Sequence, residues 1–430
     1  MQQNQVVQDQ RIDRILSAVR EHLGAEIAFV SRYIENDERE LTHINTDLPI
    51  PHKPGFREPK ENGYCWHVAQ GTLPELIPDA QQIEFVKDME ITKALPVGCH
   101  LNIPLKLSNG QLYGSFCCIS REARYDVNDR DMGILKSFAT LAVEHIETNL
   151  EGDLRRSVLE QTIDDAIKGQ VIQILHQPIV SLSEQTPIGV ECLARFPDAK
   201  SRGPDKWFGE ADEVGRGLDL ELAAIECALA TLDHVPRGVY MSVNASPSTI
   251  TSGKLAALFA GATPDRLVLE VTEHNAVEDF AELGRALDEL RPYVRIAIDD
   301  VGAGYAGLRH IVDLKPDILK LDMSLTRDVH LDPARRALAV ALVAYAKQID
   351  CSLVAEGIEN TEELNVLRKL GVNYGQGYHF SRPLPVIAAQ QWLLGLHRKS
   401  APPSSRDQSI QPAQQSSIAD VPIRRRTMMN

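Results

Sequence analysis

The stretch Arg295-Ile296-Ala297-Ile298-Asp299-Asp300-Val301-Gly302-Ala303-Gly304-Tyr305 decides how the second half of this chain folds. A short β-type run over 295–298 stops at two adjacent carboxylates, Asp299 and Asp300. Gly302 and Gly304 follow, and glycine accepts positive φ, so a flexible turn is expected there. Two neighbouring carboxylates repel each other unless something cationic lies between them. A capped turn ahead of a helix uses the same residue types. Acids and amides at matching positions elsewhere in the chain favour a cation.

Outward from this stretch, the chain after Gly169 alternates strand and helix. Strand candidates lie at 171–182, 188–196, 239–245, 267–272, 295–298, 318–321, 352–355 and 374–380. Helix-patterned segments at 219–233, 251–261, 278–290, 332–349, 361–370 and 385–396 fall between most of them. Such alternation implies parallel strands with helical crossovers. Eight strands fit a (β/α)8 TIM-like barrel slightly better than an open sheet. Only residues 183–187 join the first two strands, too few for a parallel crossover, so one antiparallel strand is expected there.

In a parallel barrel, functional groups stand at the C-terminal strand ends. Here those positions carry Glu191 and Arg195, Asn244, Glu270 and Glu273, Asp299 and Asp300, Lys320 and Asp322, Glu356 and Glu359, and Gln376. Period-two geometry puts Lys320 and Asp322 on one face, with Leu321 pointing away, and Glu270 on one face with Thr272. An interior lined by so many carboxylates is unstable without cations. Oxygen ligands with no His or Cys among them suit Mg2+ or Mn2+. Asp299 and Asp300 could reach two ions, and two ions about 4 Å apart are the usual apparatus of phosphodiester hydrolysis.

Residues 170–397 resemble the EAL domain, the cyclic di-GMP phosphodiesterase family of bacteria. The carrying motifs are Glu191-Cys192-Leu193-Ala194-Arg195, Ser242-Val243-Asn244, Glu270-Val271-Thr272-Glu273 and Asp299-Asp300-Val301-Gly302-Ala303-Gly304-Tyr305. Lys320-Leu321-Asp322, Ala355-Glu356-Gly357-Ile358-Glu359 and Gln376-Gly377-Tyr378 complete the set. The resemblance implies hydrolysis of cyclic di-GMP to linear pGpG with two Mg2+ or Mn2+ per active site. It implies that Glu191, Asn244, Glu270 and Asp299 hold the first ion. Asp300 would hold the second, bridged by Asp299, with Gln376 reaching that ion or its water. Lys320 would orient or activate water, and Glu356 would act as a base or in the metal shell. Arg195 would contact a substrate phosphate, and Gln177 would lie near the guanine. Glu273, Asp322 and Glu359 are expected to couple the loop after Asp300 to dimerisation. That loop departs from the family pattern at Val301, Ala303, Ala306 and Gly307, losing an aromatic anchor and hydroxyls but no ligand. The alternative is an EAL domain that binds cyclic di-GMP as a receptor without turning it over.

The first half has an α+β pattern. Residues 11–23 read as an amphipathic helix. Strand-like runs lie at 26–33, 41–44, 64–70, 101–107 and 112–120, with a loop expected over 49–62. Asn109-Gly110 between two apolar runs is a strong hairpin signal. Residues 1–150 resemble a GAF sensor domain through Gly114-Ser115-Phe116-Cys117-Cys118 and Asp129-Arg130-Asp131 ahead of a helix. The resemblance implies an unidentified small-molecule or signal ligand. Cys99-His100 is similar to the thiol-His dipeptide of bilin-binding relatives, although a buried thiol is the expected role in a β-type run. From Asp129 an apolar repeat of Met132, Leu135, Phe138, Ala142, Ile146, Leu150, Leu154 and Val158 fits two arrangements. One is a helix reaching towards 168, whose stripe meets a second subunit as a homodimer. The other is a domain-closing helix with a break near Gly152. Residues 151–169 are expected to be a helical linker.

Composition sets outer bounds. The 430 residues allow two or three domains, and 43% hydrophobic with 24% charged residues is ordinary for a globular protein. The net charge of −15 disfavours polymeric nucleic acid and anionic membranes as partners. No apolar run of roughly 18 residues exists, so no membrane insertion is expected. The polar N-terminus lacks the apolar core of a signal peptide, so cytoplasmic location is the default. The seven cysteines form no Cys-x-x-Cys, suggesting neither a disulfide framework nor a zinc site. Residues 398–430, rich in Pro, Ser and Gln, are expected to be a disordered tail.

Overall fold

A computed structural model describes residues 10–169, 171–197, 202–272, 279–302 and 313–395. Glu273, the loop positions 303–307 and the tail 398–430 lie outside the described residues. The chain divides into two compact units, Met1–Leu159 and Glu160–Asn430. Among the described residues no helix is long and apolar enough to cross a membrane.

The first unit is built on one antiparallel sheet. Its strands are β1 (Ile27–Ile34), β2 (Glu38–Thr46), β3 (Arg57–Pro59), β4 (Leu76–Ile77), β5 (Cys99–Lys106) and β6 (Leu112–Ser120). They lie in the order β3-β2-β1-β6-β5-β4. Period-two alternation sorts neighbours onto opposite faces. Ala28, Val30, Phe116 and Cys118 meet the helix Gln10–Leu23 and Met132, Leu135, Ala139 and Ala142. Phe29, Cys117 and Ile119 face the other way, onto Tyr64, Cys65 and Val68. The hairpin signal holds: Gly110 has φ 84°, and Gln111 N donates to Asn109 Oδ1 at 2.9 Å.

Two expectations here need correction. Residues 64–70 are not a strand, because Tyr64–Ala69 is helical and buries Tyr64, Cys65 and Val68 along one helical face. A short apolar run cannot distinguish the two periods. The 49–62 loop contains a strand, Arg57–Pro59, paired with β2. Of the two arrangements for the apolar repeat, the continuous helix is found, Asp129–Lys168. Gly152 costs a helix only about 1 kcal/mol, which does not break it. Met132 and Leu135 are buried in this helix, but Leu150, Leu154 and Val158 are exposed.

The second unit is a closed barrel. Its strands are β7 (Gln173–Ser181), β8 (Pro187–Arg195), β9 (Tyr240–Ala245), β10 (Leu267–Val271), β11 (Arg295–Val301), β12 (Ile318–Leu321), β13 (Ser352–Ala355) and β14 (Tyr374–Gly375). β7 runs antiparallel to both β8 and β14, which closes the ring, and the other neighbours from β8 to β14 are parallel. A further short strand, β15 (Leu384–Pro385), adds to β7. The strand expected over 374–380 ends at Gly375. A Cβ at Gly377 would stand 2.2 Å from the Ile358 carbonyl oxygen, so the chain there is pressed against the 358 backbone. Helix Pro204–Glu213 was not expected from the sequence.

Successive strand residues alternate between two cores. Leu269, Val271, Ile298, Leu319, Leu321 and Leu353 point outward to the helices. Ile179, Tyr240, Val268, Ala297, Ile318 and Val354 pack together as an inner layer. Gly189 makes room in that layer, since a Cβ there would stand 2.5 Å from the Tyr240 ring. Gly189→Ala is therefore expected to destabilise the barrel by about 1–3 kcal/mol through overpacking. Calorimetric unfolding of the full chain checks this. The double variant with Tyr240→Ala should lose less than the two single losses combined, and strict additivity would contradict the packing assignment.

Candidate active site

The inner layer is the floor of a site. Moving two residues towards the C-terminal strand ends, each side chain again points inward. From Val268, Ala297, Ile318, Val354 and Tyr374 this step reaches Glu270, Asp299, Lys320, Glu356 and Gln376. Gly189 leads in the same way to Glu191. On the antiparallel β7 the step runs backward, from Ile179 to Gln177, which lies opposite Glu191 in register. Asn244 stands one such step higher, above Ser242, and beside Glu270 across β9 and β10.

β11 does not stop at its acid pair. It continues to Val301, and its pairing with β12 shifts register between Ile298 and Val301. Asp300 takes φ 53°, the left-handed region that non-glycine residues rarely enter. Strain of this kind collects at functional sites. The irregularity defeats strict alternation. Carboxylate oxygens of consecutive Asp299 and Asp300 consequently lie within 4.8 Å of each other and of one from Glu356.

Lys320 occupies the centre and is 1% exposed. Its Nζ lies 2.6 Å from Glu270 Oε2, 2.6 Å from Glu356 Oε1, 3.2 Å from Asp299 Oδ1 and 3.7 Å from Glu191 Oε1. Two amides hold Glu191: Asn244 Nδ2 donates to Oε1 at 3.1 Å and Gln376 Nε2 to Oε2 at 2.6 Å. Burial pushes the Glu270 carboxyl up to about 8 against the pull of Lys320, and the charges of Glu191 and Asp299 add to the rise. Burial likewise lifts Glu356 well above the usual carboxylate range. Burial alone would lower the Lys320 ammonium, but Asp299, Glu191, Glu270 and Glu356 outweigh it and hold the group well above its ordinary value. The side chain is therefore a fixed cation facing four carboxyl groups.

The donor set fits hard divalent cations. Asn244 Oδ1 and Gln376 Oε1 are buried and accept no hydrogen bond. Each is an oxygen whose burial without a partner costs about 1–3 kcal/mol. They border a carboxylate cluster that one ammonium does not neutralise. All these donors are oxygens, the ligand type of Mg2+ and Mn2+.

A cavity of about 500 Å³ adjoins the cluster, and Asn244, Asp299 and Arg195 line it. Arg195 Nη1 donates to the Ala194 carbonyl at 2.8 Å. Gln177 is buried, and its Nε2 donates to Ser381 O at 3.4 Å. Asp322 does not join the cluster. The strand ends at Leu321, and Asp322 caps the helix Met323–Thr326 by accepting from Ser324 N at 3.0 Å. Glu359 stands on the surface, paired with Arg327 at 2.9 Å. The cavity wall also holds Phe208, Asp212 and Glu221, which the sequence reading missed. Glu221 accepts from Ser246 N at 3.0 Å and Ser246 Oγ at 2.9 Å. The available signal was Gly203-Pro204 opening a helix, since proline favours the first helical turn.

A TIM-like barrel with an acid-and-amide ring at its C-terminal strand ends is the class these features define. The EAL domain profile matches residues 160–383 and the GAF domain profile residues 8–146. The chain belongs to the EAL domain family and carries a GAF domain ahead of its barrel. It is similar to the cyclic di-GMP phosphodiesterase NbdA of Pseudomonas aeruginosa, 30% identical over 57% of this chain and 33% of that protein. It is also similar to the probable cyclic di-GMP phosphodiesterase PdeG of Escherichia coli, 31% identical over 53% of this chain and 48% of that one. The structure of the EAL enzyme Bd1971 in its cAMP-bound form superposes with a TM-score of 0.51. It shares 20% identity and covers 86% of this chain and 93% of that one, a likeness of fold. The chain spans about a third to a half of the length of the curated relatives it matches.

Burial raises the Glu270 carboxyl towards neutral pH, so a cation that took it as a ligand would displace a proton. Mn2+ affinity is expected to fall about tenfold per pH unit, for each proton displaced, between about pH 8 and pH 6. Titration calorimetry in buffers of different ionisation enthalpy counts the protons. An affinity flat over this range would contradict the burial of Glu270 as an ionisable ligand.

Proposed function

We propose that this chain hydrolyses cyclic di-GMP to linear pGpG, that the reaction requires Mg2+ or Mn2+, and that its GAF domain regulates the rate. The carrying observation is the oxygen-lined ring around Lys320, in which Asn244 Oδ1 and Gln376 Oε1 lack partners. A non-catalytic receptor needs no buried lysine within reach of four acids. Family membership and the named activities of the relatives support the same reading.

In this proposal Glu191, Asn244, Glu270 and Asp299 hold one cation. Asp300 and Gln376 hold the second, with Asp299 shared. Bound cations would supply water activation and neutralisation of the phosphodiester charge. The remaining work belongs to the side chains. Arg195, at the cavity wall, would bind a non-bridging phosphate oxygen, and Gln177 would meet the base. Lys320 keeps its proton, so it orients the attacking water and the phosphate by donating hydrogen bonds. Glu356, 2.6 Å from Lys320, would take the proton that water gives up. The floor of Tyr240, Val268 and Ile318 excludes bulk water from below.

Regulation would run through the helix Asp129–Lys168, which extends across the boundary between the two units. Leu150, Leu154 and Val158 are exposed on it at a spacing of four residues. That spacing suits a seam with the same helix of a second copy, and a homodimer is part of this reading.

Purified full chain, cyclic di-GMP and Mn2+, with chromatography for linear pGpG, tests the activity. Glu191→Ala and Asp299→Ala are each expected to lose at least about a hundredfold in rate while remaining folded, since each removes a ligand. Lys320→Ala should lower kcat much more than it weakens binding measured in Ca2+. Turnover near the parent rate in the ligand variants would sink the assignment. Binding without any turnover in the parent chain would favour a receptor.

A further inference from the structure

A second cluster of ligating side chains lies inside the GAF domain, far from the barrel in sequence and different in chemistry. Cys65 comes from the helix Tyr64–Ala69, His100 from β5 and Cys117 from β6. One sulfur from each cysteine and one ring nitrogen of His100 all lie within 4.8 Å of one another. The two Sγ atoms are 3.0 Å apart, and all three residues are at most 1% exposed.

The surroundings show polar capacity left unused. His100 Nδ1 is buried and has no hydrogen-bond partner. Asn102 is two residues beyond His100 on the same face of β5, and it lies opposite Cys117 in register. Its side chain is 0% exposed, and neither its oxygen nor its nitrogen has a partner. A buried ring nitrogen and a buried amide without partners in one small region are uncommon unless a ligand or water completes them. Arg39 Nη1 lies 3.4 Å from Cys65 Sγ, and the guanidinium also pairs with Glu58. Such a donor is the kind of outer partner that steadies a metal-bound thiolate.

We propose that Cys65, His100 and Cys117 bind one thiophilic divalent cation, with Zn2+ the best match. Two thiolates and a neutral imidazole are the borderline-soft ligands that zinc takes. Their charges would leave the buried site neutral, which suits its apolar setting among Ile27, Phe29 and Ile119. A disulfide between the two sulfurs is the competing fate. It would leave the imidazole unused, whereas the metal engages it. Three protein ligands leave a fourth position open. A cavity of about 60 Å³ is lined by Cys65, His100 and Arg39 and has room for water or a small exogenous ligand.

Cobalt serves as the probe, because thiolate ligation gives an intense near-ultraviolet charge-transfer band that an all-oxygen barrel site cannot produce. Full-length protein is reduced with a phosphine, freed of metal and titrated with Co2+. The expected result is one equivalent bound with that band, together with the visible bands of a four-coordinate site, all lost on adding Zn2+. Cys65→Ser with Cys117→Ser should abolish the band. His100→Gln, which keeps both thiols, should weaken Co2+ binding at least tenfold and shift the visible bands, so the test survives if the double variant misfolds. A missing band, or a band unchanged in the double variant, overturns the proposal. So does purified protein that is metal-free and carries a Cys65–Cys117 disulfide by peptide mapping.

Discussion

The barrel depends on one ammonium held among four carboxylates. Lys320 is fully enclosed, and Glu191, Glu270, Asp299 and Glu356 all stand within 4.0 Å of its nitrogen. Burying any one of these charges alone would cost several kcal/mol. Together they are tolerable because each acid has the lysine as counter-charge and Glu191 has two amide donors besides. The negative excess is relieved by a retained proton, which burial of the Glu270 carboxyl favours, or by a cation. Strand geometry imposes this arrangement. An apolar inner layer fixes which residues face inward, and the next inward positions must then hold the polar ring.

The two proposed sites would use opposite coordination chemistry. The barrel gathers hard oxygen donors beneath a cavity of about 500 Å³. The GAF sheet gathers sulfur and imidazole beside a cavity near 60 Å³. Hard and soft ligand sets favour different cations, so ligand type rather than the general affinity order separates them. One chain with both sites would keep two metal chemistries apart.

Much of the barrel was legible in the sequence because period two holds inside strands. It placed Glu270 and Lys320 inward correctly. Alternation has no force for Asp322, where the chain leaves β12 and the side chain caps a helix. It could not have shown Asp299 and Asp300 converging, because that depends on the register shift in β11. The sensor half was less legible. Tyr64, Cys65 and Val68 suit a short strand or a helical turn equally well, and tertiary packing chose the helix. The Cys65, His100 and Cys117 cluster carries no local signal, because its members come from three separate elements. Gly189 and Gly377 fall inside expected strands with nothing in the sequence to mark them, whereas each is required by a close contact.

The central claim is that the ring around Lys320 is a divalent-cation site. Crystals of the full chain grown with Mn2+, with diffraction recorded at the manganese edge, test it most directly. The account predicts anomalous density contacted by Asp299 and Asp300, with Asn244 Oδ1 turned onto the ion. Anomalous peaks confined to surface carboxylates, with the Lys320 contacts unchanged and Asn244 Oδ1 still without a partner, would contradict it.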